Sequence, residues 1–425
     1  MQTTGILASI ALCAALIGAP GRCSALTDPP PDERETLVDV NARAEDGTTS
    51  IMAAARNGDT DRVRALIAAG ANVNLLDKAH QTALMWAASG GNVECVEALV
   101  AAHADARARD RSGDTALIKA AKGGCISCFK PLIAAGADIK AVNNDGVSAA
   151  MWAAQSGKPD CLKALLNAGA DVKQKTRDGE TALVRALCVV WGRGTPSSPG
   201  IGWPSGNDVG QLTESMAANA IAIPAVLKGL FPGRYRAPRF QAGWGACDPE
   251  CVRTLIASGS DLNAKDCLYG MTPLIGAARV ARADCLAQLI AAGAQLNVQD
   301  RRGYTALIEA ASVHAVECVR KLAAAGADPK IKGGDGMTAL MWSAATGDVA
   351  GLKALLAAGS EIDAADNEGF TALLIAVDRD QVECVQVLIA AHADLSVKNK
   401  DGKSVVKLAK SDRMLNILRA AGAQP

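Results

Sequence analysis

Large rings are scarce in this chain: thirteen Trp, Tyr and Phe among 425 residues. That scarcity suits closely packed helices rich in Ala and Leu. Net charge is missing too, with 44 basic residues against 44 acidic ones. The balance argues against wholesale electrostatic binding to nucleic acid or to an anionic membrane. Histidines number four, and none belongs to a recognisable Ser-His-Asp or Cys-His arrangement. The glycine-rich stretch GRGTPSSPGIG at 192–202 lacks the Gly-Lys-Ser/Thr ending of a phosphate loop. The apolar stretch Ile6–Ala19 is too short to span a bilayer comfortably. Catalysis, nucleotide binding and a membrane span all lack their usual marks, and the expectations are no enzyme, no cofactor and no metal.

One short stretch dissents. ECVEALVAAHAD, at 94–105, gathers Glu94, Cys95, His103 and Asp105, the residue types of a metal site. Its meaning lies in a period of 33. TALMWAASGGNVECVEALVAAHAD from Thr82 recurs as TALIKAAKGGCISCFKPLIAAGAD from Thr115, and the register continues through Ser148 and Thr181. It resumes at Thr272, Thr305, Thr338, Thr371 and Ser404, with Thr49 ahead of all of them. A fixed period of this length marks stacked supersecondary units.

The unit resembles the ankyrin repeat, carried by DRSGDTALIKAA, DRRGYTALIEAA and DNEGFTALLIAV, each followed by a second apolar helix and by AAGAD or AAHAD. Where that family commonly has Thr-Pro-Leu-His, this chain mostly has Thr-Ala-Leu-Met or Thr-Ala-Leu-Ile, with proline kept at Pro273; proline there is favoured rather than required. The resemblance implies an all-α solenoid of helix–turn–helix units joined by hairpin-like loops. Residue chemistry agrees. Thr82 can cap a helix that places Leu84, Ala87 and Ala88 on one face. A second helix from about Val93 carries Cys95, Val96 and Leu99, and glycine in AAGAD suits a left-handed helix end.

Cys95 then belongs to a column with Cys128, Cys161, Cys251, Cys285, Cys318 and Cys384, replaced by Arg62 and Gly351 in two repeats. Buried free cysteine is a small hydrophobe, and stacked helices lie too far apart to bridge column neighbours. His103 and His392 stand at the glycine position. These readings displace the metal site. The lone C-x-x-C at 125–128 is read the same way, since the column already explains Cys128; a redox role is not expected.

Five segments follow: a signal peptide over 1–25, a linker over 26–36, repeats 1–5 over 37–188, an insertion over 189–246, and the remaining repeats with a C-terminal cap over 247–425. Cys23 and Ala25 suit cleavage after Ala25, which implies export to a periplasm or beyond; a cytoplasmic location is the alternative. The Gly- and Pro-rich insertion holds Trp203, Tyr235 and Trp244 among its aromatics and a helical pattern over about 212–230. Cys188 and Cys247 flank it. In an exported protein their disulfide would close the loop and stabilise by roughly 4 kcal/mol.

Two columns are candidates for binding. Four residues after each Thr lie Trp86, Lys119, Trp152 and Arg185 in consecutive repeats. The resemblance puts that face in a concave groove, and such residues are enriched at interface hot spots; an internal cation–π ladder is the alternative. Immediately before each Thr, at the hairpin tip, lie Met271, Tyr304, Met337 and Phe370, with Tyr269, Arg301 and Arg302 beside them. Read as projecting tips, they form an exposed apolar row; the alternative is that each side chain folds down onto its own repeat or that the insertion covers the row. The expected function is a monomeric scaffold that binds a protein partner through groove and tips, without nucleic acid. One alternative is a small-ligand or enzymatic activity carried by the insertion. The other is anion or nucleic-acid binding along the Trp/Lys/Trp/Arg line.

Overall fold

The computed structural model describes residues 39–187 and 248–424. They form two compact units, one ending at Arg177 and one running from Asp178 onward, with 155–157 grouped with the second. Among the described residues the regular elements are twenty α-helices and no strand. Odd-numbered helices open a repeat and even-numbered helices close it. The first unit contains α1 (Ser50–Asn57), α2 (Thr60–Ala68), α3 (Ala83–Gly90), α4 (Val93–Ala101), α5 (Ala116–Gly123), α6 (Phe129–Ala134), α7 (Ala149–Gln155) and α8 (Pro159–Asn167). The second begins with α9 (Ala182–Leu187), α10 (Pro249–Ala257), α11 (Pro273–Arg279), α12 (Ala283–Ala291), α13 (Ala306–Ser312) and α14 (Val316–Ala324). It ends with α15 (Ala339–Thr346), α16 (Val349–Ala357), α17 (Ala372–Asp378), α18 (Val382–Ala390), α19 (Val405–Leu408) and α20 (Asp412–Ala420). The fold is the ankyrin-type helical solenoid expected from the sequence.

Each opening helix starts where a hydroxyl can replace a missing backbone partner. Thr82 Oγ1 accepts the Met85 N–H at 3.3 Å, and Thr115, Thr181, Thr272, Thr305 and Thr371 repeat the bond. The first and last copies differ: Thr49 and Ser404 cap nothing, and their buried hydroxyls find no partner. The closing helix α10 is capped by Asp248, which accepts from Glu250 and Cys251, ahead of Pro249. All four histidines, His80, His103, His314 and His392, adopt positive φ near 60°. They stand at turns because their backbone goes left-handed, a region histidine tolerates better than most residues.

The cores are made of small and branched side chains. Leu84, Ala87 and Ala88 of α3 and Cys95, Val96 and Leu99 of α4 are fully buried. Truncating such a leucine to alanine costs about 2–5 kcal/mol. The cysteine column is buried as expected, and burial pushes the Cys318 and Cys384 thiols up to about 12. Where Gly351 interrupts the column, the Asp348 carboxylate takes the space: a Cβ on Gly351 would meet Asp348 Oδ2.

Hairpins join the repeats into a stack. In the first unit the Lys78 N–H donates to the Asp46 carbonyl at 2.9 Å, Arg111 to Ala79 at 3.0 Å, Asn144 to Ser112 at 2.9 Å and Arg177 to Asp145 at 3.0 Å. The second unit repeats this from Cys267 to Asp178, Arg301 to Tyr269, Gly334 to Arg302, Asn367 to Asp335 and Lys400 to Glu368. Side chains add a second rung. Arg43 donates to the Leu76 carbonyl and Arg109 to Val142, while Lys265, Gln299 and Lys332 donate to carbonyls of Gln299, Lys332 and Ala365. Inside each hairpin an Asp or Asn folds the turn. Asp110 Oδ1 accepts the N–H groups of Ser112 and Asp114, and Asn143 does the same for Asp145 and Val147.

Glycine stands at most places where one hairpin touches the next, with His80 in one copy. Gly113 has φ +77°, and a Cβ there would come within 2.8 Å of the Asn144 nitrogen. Gly70 has φ +86° with open space around it. Gly70→Ala is expected to cost about 1 kcal/mol from left-handed strain alone. Gly113→Ala is expected to cost about 3 kcal/mol, since an inter-repeat hydrogen bond is lost as well. Urea unfolding midpoints of the two variants test this, and equal midpoints would contradict it.

The turn acids offer a pH test. Burial holds the Asp366 carboxyl above its ordinary value, against the N–H groups of Phe370 and Glu368 that favour its charge. With the folded value raised, the native state keeps the proton longer than the unfolded chain does. Stability therefore falls as pH rises through the ordinary carboxylate value toward the raised one. Asp366→Asn keeps the acceptor, as Asn143 and Asn399 do elsewhere, and removes the titration. Its melting temperature should rise relative to the parent between pH 3 and pH 7. A gap that stays constant or shrinks over that range would overturn the assignment.

Candidate functional site

The column four residues after each Thr is built into the fold rather than laid on it. In the first unit Asp77 and Asp110 each use one oxygen for their hairpin and offer the other to that column. Asp77 Oδ1 accepts from Ala79 and Gln81, while its Oδ2 accepts the Trp86 indole N–H at 3.1 Å. Asp110 Oδ2 pairs with the Lys119 ammonium at 2.7 Å.

A second residue, seven after the Thr and so one helical turn further, reaches the next repeat's column. Arg56 lies over the Trp86 ring at 4.7 Å, and Lys122 lies over the Trp152 ring at 4.2 Å. Gln155 accepts from the Arg185 guanidinium, and Arg279 pairs with Glu309 at 3.4 Å. Sequence reasoning missed this pairing, although its signal is a cation or amide seven residues after one Thr opposite an aromatic or charged residue four after the next.

In the first unit the result is a neutral wall with half-buried aromatic faces. Asp114 binds both Lys119 at 3.4 Å and Lys122 at 2.5 Å, and accepts from Asn143. Trp86 and Trp152 remain half-buried between their cations and the helices. Arg185, in the second unit, is buried and pairs with Glu180 at 2.5 Å. Burial pushes the Glu180 carboxyl up, although Arg185 pulls it back. The cations over the two rings, Arg56 and Lys122, thus come from one helical turn further along in the preceding repeat, while Lys119 and Arg185 of the column pair with carboxylates.

The second unit corrects the reading of the tips. Met271, Tyr304 and Met337 are buried and Phe370 is half-buried, so the row is not an exposed apolar surface. The polar copies Asp114 and Glu180 are buried at the same position. The reason is the hairpin bond. The Asp300 N–H donates to the Tyr304 carbonyl and the Tyr304 N–H returns to Asp300 Oδ1, which fixes this residue inside the stack. Its side chain then meets the column. The Tyr304 ring lies edge-on to Trp342 at 6.2 Å, its hydroxyl donates to Asp335 at 2.5 Å, and Arg302 lies over it at 4.6 Å. Arg302 also pairs with Glu309 at 2.8 Å, and Arg279 donates to the Met271 sulfur.

Three predicted neighbours remain at the surface. Tyr269 is 40% exposed, Arg301 is exposed and the Arg302 side chain is 39% exposed. Arg301, Arg302, Gly303, Tyr304, Gly334 and Asp335 line an open concavity of about 440 Å³. No carboxylate among the described residues forms an ion pair with Arg301. The insertion aromatics Trp203, Tyr235 and Trp244, the helical pattern over about 212–230, and Cys188 and Cys247 lie outside the described residues.

The cysteines bring one further correction. Cys125 and Cys128 form a disulfide, with Cα atoms 5.3 Å apart. Occupying the core column did not keep Cys128 from bonding, because its partner lies three residues away along the chain rather than in the next repeat. Cys285 of the column is also disulfide-bonded. Cys95, Cys161, Cys318 and Cys384 are free thiols, so none of these four is bridged to a column neighbour. Among the described residues no group of three or more His, Cys, Asp or Glu is placed to hold a metal ion. No described helix is long and apolar enough to cross a membrane.

A family model described as "Ankyrin repeats (3 copies)" matches residues 25–110, 51–143, 117–192, 241–333 and 326–399. Among solved structures, the ankyrin repeat domain of human ASB11 is 21% identical, with a TM-score of 0.47, over 64% of this chain and 98% of that one. Comparison with curated proteins gives no match.

Proposed function

The chain belongs to the ankyrin repeat family, and from that premise we propose that it is a non-enzymatic scaffold whose groove binds a protein partner. Repeats of this family generally mediate protein–protein interaction. The observation that carries the reading here is that Trp86 and Trp152 are held in place yet only half covered. Arg56, Asp77 and Lys122 order their rings before any partner arrives, and an ordered aromatic loses little freedom on binding. In the second unit the contact surface is narrower than an apolar row. It consists of Tyr269, Arg301 and the concavity beside Tyr304, with Met271, Met337 and most of Tyr304 acting as its support.

The charge pattern weighs against anion or nucleic-acid binding. Lys119 and Lys122 are met by Asp110 and Asp114, and Arg185 by Glu180. A phosphate would have to displace carboxylates already in place. Export is the compartment proposed, on the apolar stretch Ile6–Ala19 followed by the small residues Cys23 and Ala25.

Affinity capture with the full chain, followed by titration of the captured partner, tests the proposal. Trp86→Ala and Trp152→Ala should each weaken binding by more than about 1 kcal/mol, roughly fivefold. Raising salt from 50 to 200 mM should change affinity far less than the ~10³-fold loss of a multi-phosphate contact. Full affinity in both tryptophan variants would remove the groove from the account.

A further inference from the structure

Nine of the ten closing helices among the described residues are nine residues long, and α6 has six. In the 33-residue register Ile126 matches Val93, the first residue of α4, so α6 lacks its opening turn. The missing turn is the segment spanned by the disulfide. In neighbouring repeats the residue before the helix accepts from the fourth residue on. Val63 donates to Asp59, Val96 to Asn92 and Leu162 to Lys158, each at 3.0 Å. The equivalent bond from Phe129 to Cys125 is replaced by two tighter ones: Cys128 donates to the Cys125 carbonyl at 3.3 Å and Phe129 to Ile126 at 3.0 Å. The cause is steric. Side chains three apart on an α-helix hold their Cβ atoms about 5–6 Å apart, and a disulfide requires about 3.5–4.5 Å.

We propose that Cys125 and Cys128 form a reversible dithiol–disulfide site, and that its reduction winds the missing first turn of α6. The reductant is a dithiol, small or protein-borne. Its thiolate attacks the Cys125 sulfur, the less buried of the two at 7% exposure against 0% for Cys128. The Cys125–Cys128 bond breaks, and Cys128 leaves as a thiolate that takes up a proton. The reductant's second thiol then attacks its own sulfur in the mixed disulfide and releases Cys125 as a thiol. Two electrons and two protons pass to the protein, and the reductant becomes a disulfide.

The surroundings suit this exchange. Ile126, 42% exposed, and the exposed Ser127 form the open rim of the bond. The Lys158 ammonium lies against Gly124, where a Cβ would meet it at 2.8 Å; a cation there attracts an incoming thiolate. After reduction Cys125 occupies the position of Asp59 and Asn92, just ahead of the helix, and Cys128 rejoins the buried column. Cys95 and Cys161 remain buried on either side of it in the column.

The test uses the full chain, dithiothreitol with its oxidised form, and alkylation read by peptide mass. Under native conditions dithiothreitol should open Cys125–Cys128, with Cys125 alkylated at least about tenfold faster than Cys128 and Cys95 and Cys161 unmodified. Hydrogen exchange at the Phe129 and Lys130 amides should slow by about tenfold or more on reduction. Cys125→Ser, which leaves a helix-capping hydroxyl, should show the slow exchange whether dithiothreitol is reduced or oxidised. A bond that resists dithiothreitol until the protein unfolds overturns the proposal. So does reduction without slower exchange, or a Cys125→Ser protein that exchanges as fast as the oxidised parent.

Discussion

The stack depends on one backbone hydrogen bond made again and again: an N–H at the start of a hairpin turn, most often just after an Asp or Asn, donates to a carbonyl at the tip of the preceding hairpin. Helix packing alone leaves neighbouring repeats free to slide, because rows of alanine and leucine are alike along their length. This bond removes that freedom by setting hairpin against hairpin. Its demands propagate through the rest of the repeat. The donor's approach leaves no room for a Cβ at Gly47, Gly113, Gly146, Gly303, Gly336 or Gly369. The turn must hold its shape without strand pairing, so an Asp or Asn inside it accepts two N–H groups. The Thr that ends the turn then starts the next helix. Nearest-neighbour coupling of this kind is the basis of stability in repeat arrays.

That geometry also decides what the groove can be. The second oxygens of Asp77 and Asp110 reach Trp86 and Lys119, and Arg56, Lys122, Gln155 and Arg279, one helical turn further along, reach the same column in the next repeat. A lysine in the column is neutralised and a tryptophan is clamped. The column in the first unit therefore offers ordered rings and paired charges. The tip residues sit at the other end of the same network, and so Tyr304 touches Trp342 and Arg302 instead of solvent.

Much of this was legible in the sequence and some was not, for physical reasons. The period located the helices because caps, glycines and apolar faces each repeat locally. Thr82, Val93 and Asp248 occupy the roles their chemistry suggests. The burial of Met271 and Tyr304 stood only as the alternative reading because the hairpin bonds that seat the residue in the stack, such as Asp300 with Tyr304, leave no mark in the apolar pattern. The neutralisation of Lys119 was missed for a related reason: its partner Asp110 is nine residues away and already serves the turn. The disulfide was hidden by an overlap. Cys128 satisfies the core column and the C-x-x-C at once, and the column reading was accepted as sufficient.

The central claim is that hairpin amides, although they lie in turns, are held as firmly as the helices between them. Residue-resolved hydrogen exchange measures this directly. The account predicts that the Lys78, Arg111, Asn144, Arg301 and Asn367 amides exchange about as slowly as buried helical amides such as Leu99 and Leu322. Exchange at those five sites at the rate of free loop amides, with the helices still protected, would contradict it.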